Sequence, residues 1–116
     1  MQYSKDRVAD TYPVYQLGWF PDYSDPDNYL TPFFSKNNFI SNHYDNAEVQ
    51  ALISDQVSTA DPDERDAKLE KIQDLVSDDI STLPLLQGKQ IAVTGTDVSG
   101  LLLDASFKLR IAPLTK

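Results

Sequence analysis

The hydrophobic positions between residues 46 and 58 predict an amphipathic helix. Asn46 is a candidate N-cap, because its side chain can accept a hydrogen bond from the open amide groups of the first helical turn. The apolar positions that follow recur at the i, i+3, i+4 and i+8 spacing of one helical face: Val49, Leu52, Ile53 and Val57. A helix with this pattern covers a core with one face and meets solvent with the other.

A second amphipathic helix is predicted from residue 62 onward. The opening sequence Asp61-Pro62-Asp63-Glu64 supplies a capping carboxylate, a proline at the first helical position and an acid at the third. The side chains predicted to form its buried face are Leu69, Ile72, Leu75, Val76 and Ile80. The two helices should therefore lie on one core surface.

Extended structure is predicted on both sides of the helices. Residues 12–20 (YPVYQLGWF) are rich in aromatic and β-branched side chains and are typical of a strand. After the helices, residues 83–95 are interpreted as extended chain around a turn at Gly88-Lys89, and residues 107–111 alternate apolar and polar positions as a strand does. The order of elements predicts an α/β fold of the α+β-like kind, with a mixed sheet and two amphipathic helices.

The length of 116 residues fits a single domain over residues 1–116. Residues 2–11 are polar and show no periodic pattern, so the first element is expected to begin at Tyr12 and residues 1–11 are expected to be flexible. Residues 21–45 combine turn-forming polar residues with six aromatic side chains, which predicts an ordered loop with short helical turns near residues 28–34.

Composition excludes several classes of function. With 18 acidic and 10 basic residues the formal net charge is -8, which opposes binding to nucleic acid or to anionic lipid. Cysteine is absent and His43 is the single histidine, so thiolate catalysis, zinc–thiolate sites and multi-histidine metal sites are excluded. Four glycines form no phosphate-binding pattern. The chain is therefore predicted to be no enzyme and to use no cofactor and no metal.

Candidate binding chemistry lies in residues 18–30 (GWFPDYSDPDNYL), here called the acidic run. A carboxylate at Asp22, flanked by Trp19 and Tyr23, is a suitable receptor for an ammonium group, because the charge gives a strong hydrogen bond and the rings add cation–π attraction. The alternative is turn chemistry, in which aspartates such as those of Asp25-Pro26-Asp27 accept main-chain hydrogen bonds. A calcium site is a further alternative, although the spacing differs from that of an EF-hand loop.

The acidic run resembles the G-W-x-x-D-Y-x-D-P-D-N-F/Y-L segment of the family 5 extracellular solute-binding proteins, the dipeptide- and oligopeptide-binding receptors of ABC importers. Two later segments resemble the C-terminal part of the same family: Leu83-Pro84-Leu85-Leu86-Gln87-Gly88-Lys89-Gln90 and Val98-Ser99-Gly100. The resemblance spans nearly all of the chain. It implies that the chain is the C-terminal portion of a larger two-lobed protein, with part of a type II periplasmic-binding-protein lobe.

The resemblance also implies a function and a site. In the peptide-binding members, the aspartate of W-x-x-D holds the α-ammonium of the ligand, and this residue corresponds to Asp22, with Trp19 and Tyr23 as pocket walls. The implied partners are a peptide and the membrane permease of an ABC transporter. The implied location is extracytoplasmic, periplasmic or at the cell surface, with a lipid anchor in the full-length protein. Phe20-Pro21 departs from the small or polar residues that many members carry there.

Two further expectations follow. If the chain is part of a two-lobed receptor, surfaces that meet the missing lobe should be exposed and apolar, which favours self-association of the isolated chain. The alternative function, from a different class, is a self-standing protein-interaction module in which the aromatic and acidic loop binds a protein partner.

Overall fold

The computed structural model describes residues 2–116, and the chain divides into two compact units. The first contains the residues up to Gly18 together with Asp25–Leu83, and the second contains Trp19–Ser24 and Pro84–Lys116. The expected flexibility of residues 1–11 includes Met1, which lies outside the described residues. Within residues 2–116, no helix combines the length and the apolar character needed to cross a membrane.

The first unit begins with helix α1, Gln2–Val8, where the sequence predicts no element. None of its residues is buried, so it has no apolar stripe that a periodicity search could find. Polar tertiary contacts hold it instead: the Tyr3 hydroxyl donates to the Gln16 carbonyl, and the Arg7 guanidinium donates to the Ile40 carbonyl. The prediction that the first element begins at Tyr12 is therefore wrong.

Residues 12–20 form no strand, so that prediction is also wrong. The backbone is irregular, and several of its apolar side chains face solvent, among them Val14, Leu17 and Phe20. A strand needs a neighbouring strand to satisfy its amide and carbonyl groups, and β-propensity alone supplies no such neighbour.

Short helical turns follow, as predicted for residues 28–34. A 3₁₀ helix spans Pro26–Tyr29 and helix α2 spans Thr31–Phe34. Their inward side chains, Leu30 and Phe34, contribute to the core of the first unit.

The two predicted amphipathic helices are confirmed as α3, Ala47–Ser58, and α4, Pro62–Asp79. The Asn46 side chain accepts from the amides of Glu48 and Val49 at 3.0 and 3.2 Å. The Asp61 carboxylate accepts from the Glu64 amide at 2.9 Å, with proline in the first turn. Local capping chemistry thus fixes where both helices begin.

Helices α3 and α4 pack on each other with the α2 region to form the core of the first unit. Its buried members are Leu30, Phe34, Val49, Ile53, Leu69, Ile72 and Val76, with Leu52 and Leu75 packed against them. Two predicted members are instead exposed: Val57 at 68% and Ile80 at 66%. Gln56, rather than Val57, completes the inward face of α3, and Ile80 leaves the stripe because it caps α4 in the left-handed conformation, with φ of 49°.

The second unit contains a hairpin of strands β1, Leu102–Leu103, and β2, Leu109–Arg110. The strands are antiparallel, with Leu102 opposite Arg110 and Leu103 opposite Leu109. The strand predicted at residues 107–111 is thus confirmed in part, since only Leu109–Arg110 form a strand. In residues 2–116 this two-stranded sheet is the only sheet, so the predicted mixed sheet is wrong, while the broader assignment to a mixed α/β class is confirmed.

The Asp104 carboxylate closes the hairpin. One of its oxygens accepts from the Ser106 amide and hydroxyl and from the Lys108 amide, at 3.0, 2.7 and 3.0 Å. The other oxygen lies 2.7 Å from the Arg110 guanidinium. These contacts, led by the hydrogen bond from the Ser106 side chain, lower the pKa of Asp104 to about 2.

Candidate functional site

The acidic run is shared between the two units, because residues 19–24 belong to the second unit and residues 25–30 to the first. The predicted binding residues therefore lie in one unit, and the aspartates predicted to make turns lie in the other.

Asp25 is the cap of the 3₁₀ helix and the partner of a distant arginine. Its carboxylate accepts from the Asp27 amide at 2.8 Å, as a turn-making aspartate does. The same carboxylate accepts two hydrogen bonds from the Arg65 guanidinium, at 2.7 and 3.0 Å. The hydrogen bonds from Arg65 are the main reason that the pKa of Asp25 is lowered. Both oxygens of Asp25 are thus used within the protein.

Gln56 connects this pair to the second aspartate of the turn. Its side chain is fully buried, its carbonyl oxygen accepts from Arg65 Nε at 3.0 Å, and its amide nitrogen donates to Asp27 at 2.6 Å. Asp27 also accepts from the Thr31 hydroxyl at 2.7 Å. We call these residues the Arg65–Gln56 network: Asp25, Asp27, Thr31, Gln56 and Arg65.

The Arg65–Gln56 network confirms that Asp25 makes a turn and adds a role that sequence reasoning missed. It ties the acidic run to α3 and α4 through side chains that are 40 and 29 residues apart. One signal was present in the sequence: Gln56 is a polar residue at a position that continues the buried stripe of α3. Within the network both oxygens of the Asp25 carboxylate accept hydrogen bonds, so their position is explained without a bound calcium ion.

Trp19, Asp22 and Tyr23, the three predicted ligand-binding residues, lie on one irregular segment of the second unit. Trp19 is half-buried, whereas Asp22 and Tyr23 are exposed. In contrast, Asp25 and Asp27 are both half-buried. Asp22 is therefore the most solvent-exposed aspartate of the acidic run.

Two contacts position the backbone around Asp22. The main-chain carbonyl of Asp22 accepts from the Lys108 ammonium at 2.5 Å. The Phe20 ring meets the Phe107 ring edge-on, with 5.4 Å between the ring centroids. Both partners come from the hairpin region, so residues 19–24 are held by the turn that follows β1 and leads into β2. The departure at Phe20-Pro21 thus has a structural role in this chain.

His43 lies outside the acidic run and shows the features of a surface histidine. Its Nε2 atom lies 2.6 Å from Asp10 Oδ1, and both side chains are well exposed. A shallow cavity of about 340 Å³ near it is lined by residues of the 36–45 loop, and none of the predicted binding residues contributes to it. Within residues 2–116, no three acidic or histidine side chains are grouped closely enough to hold a metal ion.

Comparison with known proteins gives two relatives at low identity. The chain is 31% identical over 88 residues to a "Probable di/tripeptide-binding protein 5" of Pseudomonas aeruginosa strain UCBPP-PA14, which covers 72% of this chain and 17% of that protein. It is 30% identical over 81 residues to a "Putative binding protein" of Haemophilus influenzae, covering 70% of this chain and 16% of that protein. The chain is similar to bacterial binding proteins.

The chain spans about a sixth of the length of these curated relatives. Both relatives are named for binding and neither for catalysis, which agrees with the prediction of a non-enzyme. No protein-family model matches the chain, and no solved structure matches it.

Proposed function

We propose that this chain is the C-terminal portion of a two-lobed solute-binding protein that captures peptides outside the cytoplasm for an ABC importer. The observation that carries the proposal is the similarity, over 72% of the chain, to a protein named for binding di- and tripeptides. The amino-acid sequence of the acidic run also supports the proposal, because it resembles the corresponding segment of the peptide-binding receptors. The type II lobe and the single domain over residues 1–116 are part of this proposal.

In the proposed site, Asp22 accepts the N-terminal ammonium of the peptide. An exposed carboxylate can meet an incoming cation, and lobe closure would then remove water from the pair and strengthen it. A carboxylate buried without a cation is costly, so the site would favour a free amino terminus over a blocked one.

Trp19 and Tyr23 are proposed as the aromatic walls of the same site. Their rings attract a cation through cation–π contacts and exclude water from the ammonium–carboxylate pair. Rings placed at the peptide backbone impose little side-chain preference, which suits a receptor for peptides of varied sequence.

The partitioning of the acidic run supports the choice of Asp22. Asp25 and Asp27 belong to the Arg65–Gln56 network, and Asp22 is the aspartate of the acidic run that is exposed. Asp25 and Asp27 therefore serve as structural residues in this account, and Asp22 serves as the ligand acceptor.

The proposed partners are a peptide ligand and the membrane permease of the transporter. The complete protein would work in the periplasm or at the cell surface, attached by a lipid anchor. No cofactor has a role in the proposed binding reaction, because an ammonium–carboxylate contact and peptide hydrogen bonds need none.

The proposal predicts that binding depends on a free peptide amino terminus. A tripeptide such as trialanine and its N-acetylated form would be titrated by calorimetry into the complete receptor that contains this chain. Acetylation removes the charge that Asp22 would meet, so we expect the affinity to fall by about 2–5 kcal/mol. Equal affinities for the two peptides would exclude recognition through the ammonium group. The isolated chain, which has one side of the proposed cleft, should bind either peptide weakly.

A further inference from the structure

Helix α4 ends in two adjacent acids, Asp78 and Asp79. The C-terminal end of a helix carries a partial negative charge, so a carboxylate is mildly unfavourable there. Both residues are exposed, and solvation of a helix end would be the simple explanation for both. Asp79, however, is bonded to the segment that leads into α3, and this contact gives it a different role.

The Asp79 carboxylate accepts hydrogen bonds from two side chains that lie 35 and 33 residues earlier in the chain. The Tyr44 hydroxyl donates to Asp79 Oδ2 at 2.6 Å, and the side-chain amide of Asn46 donates to the same oxygen at 2.8 Å. These hydrogen bonds, that from Tyr44 first, lower the pKa of Asp79 and favour its ionised form. A charged acceptor in turn strengthens both bonds.

Asn46 uses both ends of its side-chain amide. Its carbonyl oxygen accepts from the amides of Glu48 and Val49 and caps α3, while its NH₂ group donates to Asp79. An aspartate would cap a helix equally well, since Asn and Asp are similarly favoured as N-caps. A carboxylate has no N–H group to donate, however. The requirement for an amide at residue 46 therefore comes from Asp79 rather than from α3.

The position of Asp79 also suits the charge of its carboxylate. Because its partner Asn46 is the residue that caps α3, Asp79 Oδ2 lies beside the N-terminal end of α3. That end of a helix carries a partial positive charge. The unfavourable end of α4 is thereby offset by the favourable end of α3.

Tyr44 joins this end of the helix pair to the core. Its ring meets the Phe34 ring edge-on, with 5.3 Å between the ring centroids, and its amide donates to the Asn42 side chain at 3.2 Å. The residues on either side of Asn42 have left-handed backbones, with φ of 54° and 56°. Residues other than glycine keep this conformation where their surroundings hold it. Residues 41–46 are thus held by side chains rather than by a helix or a strand.

We propose that Tyr44, Asn46 and Asp79 form a latch, here called the Asp79 latch, which closes residues 41–46 and the first turn of α3 onto the end of α4. With the latch closed, Tyr44 and Asn46 are fixed and α3 begins at a defined residue. With the latch broken, this end of the first unit opens more often, while the apolar contacts between α3 and α4 remain. The inference concerns the first unit alone and does not rest on the proposed peptide-binding function.

The first test exchanges the two polar partners in the full chain. Asn46→Asp keeps a good N-cap but sets a second carboxylate against Asp79, so the thermal unfolding midpoint at pH 7 should fall by a few degrees. Adding Asp79→Asn restores one amide and one carboxylate in reversed order and should recover most of the loss. The matched control combines Asn46→Asp with Asp78→Asn. It has the same net charge but keeps the two facing carboxylates, so it should recover little.

Two results of the exchange would overturn the proposal. If Asn46→Asp unfolds at the same temperature as the wild type, the Asn46 amide has no role beyond the cap. If the two double variants recover equally, the effect is one of net charge and not of a contact between residues 46 and 79.

Local opening is tested by amide hydrogen exchange in the wild-type chain at low urea concentrations. The amides of Tyr44 and Val49 are bonded to side chains that the Asp79 latch holds, so their exchange should depend weakly on urea, as expected for an opening that exposes little surface. The Ile72 amide, inside α4, should show the steep dependence of global unfolding. An equally steep dependence at all three amides would show that this end does not open by itself, and would contradict the latch.

The role of Asp79 in that opening is tested with two neighbouring variants. Asp79→Ala should speed the exchange of the Tyr44 and Val49 amides by roughly three- to tenfold, the range expected when the restraint on a helix cap is weakened. Asp78→Ala removes the adjacent acid and should leave both rates unchanged. Equal rates in the two variants would overturn the assignment of the latch to Asp79.

Discussion

Gln56 is the residue that connects the acidic run to both long helices. It is fully buried, accepts from Arg65 Nε and donates to Asp27. A buried amide with both ends paired contributes to stability chiefly because its loss leaves partner groups without hydrogen bonds. The exchange of Gln56 for an apolar residue of similar size therefore tests the network without opening a large cavity.

We predict that Gln56→Leu lowers the free energy of unfolding by about 1–3 kcal/mol, as expected when buried polar groups lose their partner. Denaturant titration followed by circular dichroism would measure the change. Gln73→Leu, at an exposed position of α4, is the matched control and should change stability by no more than about 0.5 kcal/mol. Equal stability of the Gln56→Leu variant and the wild type would show that the network is energetically neutral.

At the scale of elements, the ion pair between Asp25 and Arg65 joins the 3₁₀ helix to α4 and makes stability depend on pH. The folded pKa of Asp25 is lowered, chiefly by its hydrogen bond with Arg65, so folding favours the ionised form. Its contribution is present above the unfolded pKa of about 3.9 and is lost as pH falls through the lower folded value. Asp79 and Asp104 also have lowered pKa values, so the contribution of Asp25 must be isolated by mutation.

We predict that Arg65→Met lowers the thermal unfolding midpoint at pH 7 by a few degrees and lowers it much less at pH 3. Methionine keeps the length of the aliphatic stem but removes the guanidinium, so the Asp25 carboxylate loses the contact that favours its ionised form. Thermal unfolding measured between pH 7 and pH 3 gives the two profiles. The profile of Arg65→Lys should lie between those of the wild type and Arg65→Met, because an ammonium group keeps the charge but lacks the planar pair of N–H groups that meets both oxygens of Asp25. Parallel profiles for wild type and Arg65→Met would contradict the assignment.

The elements that could be predicted from the sequence are those whose signals are local. Helices α3 and α4 begin at Asn46 and Asp61 because capping needs only residues two or three positions away. Helix α1 and the strand predicted at residues 12–20 depend on distant partners instead: α1 has such contacts through Tyr3 and Arg7, and residues 12–20 have no strand beside them.

The candidate site shows the same limit. The turn-making role of Asp25 follows from its neighbours in sequence, but its pairing with Arg65 joins positions 40 residues apart and has no local signature. Asp22, Trp19 and Tyr23 were selected through the resemblance to a family, and no contact in the chain could have been read from their spacing.

At the scale of the whole molecule, burial is uneven between the two units. Apart from Pro21, all of the buried apolar side chains described in residues 2–116 belong to the first unit. The second unit exposes many of its apolar residues, including Leu86, Val93 and Ile111. Exposed apolar surface of this kind is expected of a part of a larger protein, in keeping with relatives of which the matched stretch makes up only 16–17%.

The central claim is that Asp22 receives the amino terminus of a peptide, and calorimetric titration of a tripeptide into the complete receptor tests it most directly. We predict that Asp22→Asn weakens binding by about 2–5 kcal/mol, because the ammonium would lose its charged partner in a closed cleft. Asp74→Asn, at an exposed position of α4, is the control and should bind as the wild type does. Unchanged affinity in the Asp22→Asn receptor would contradict the account.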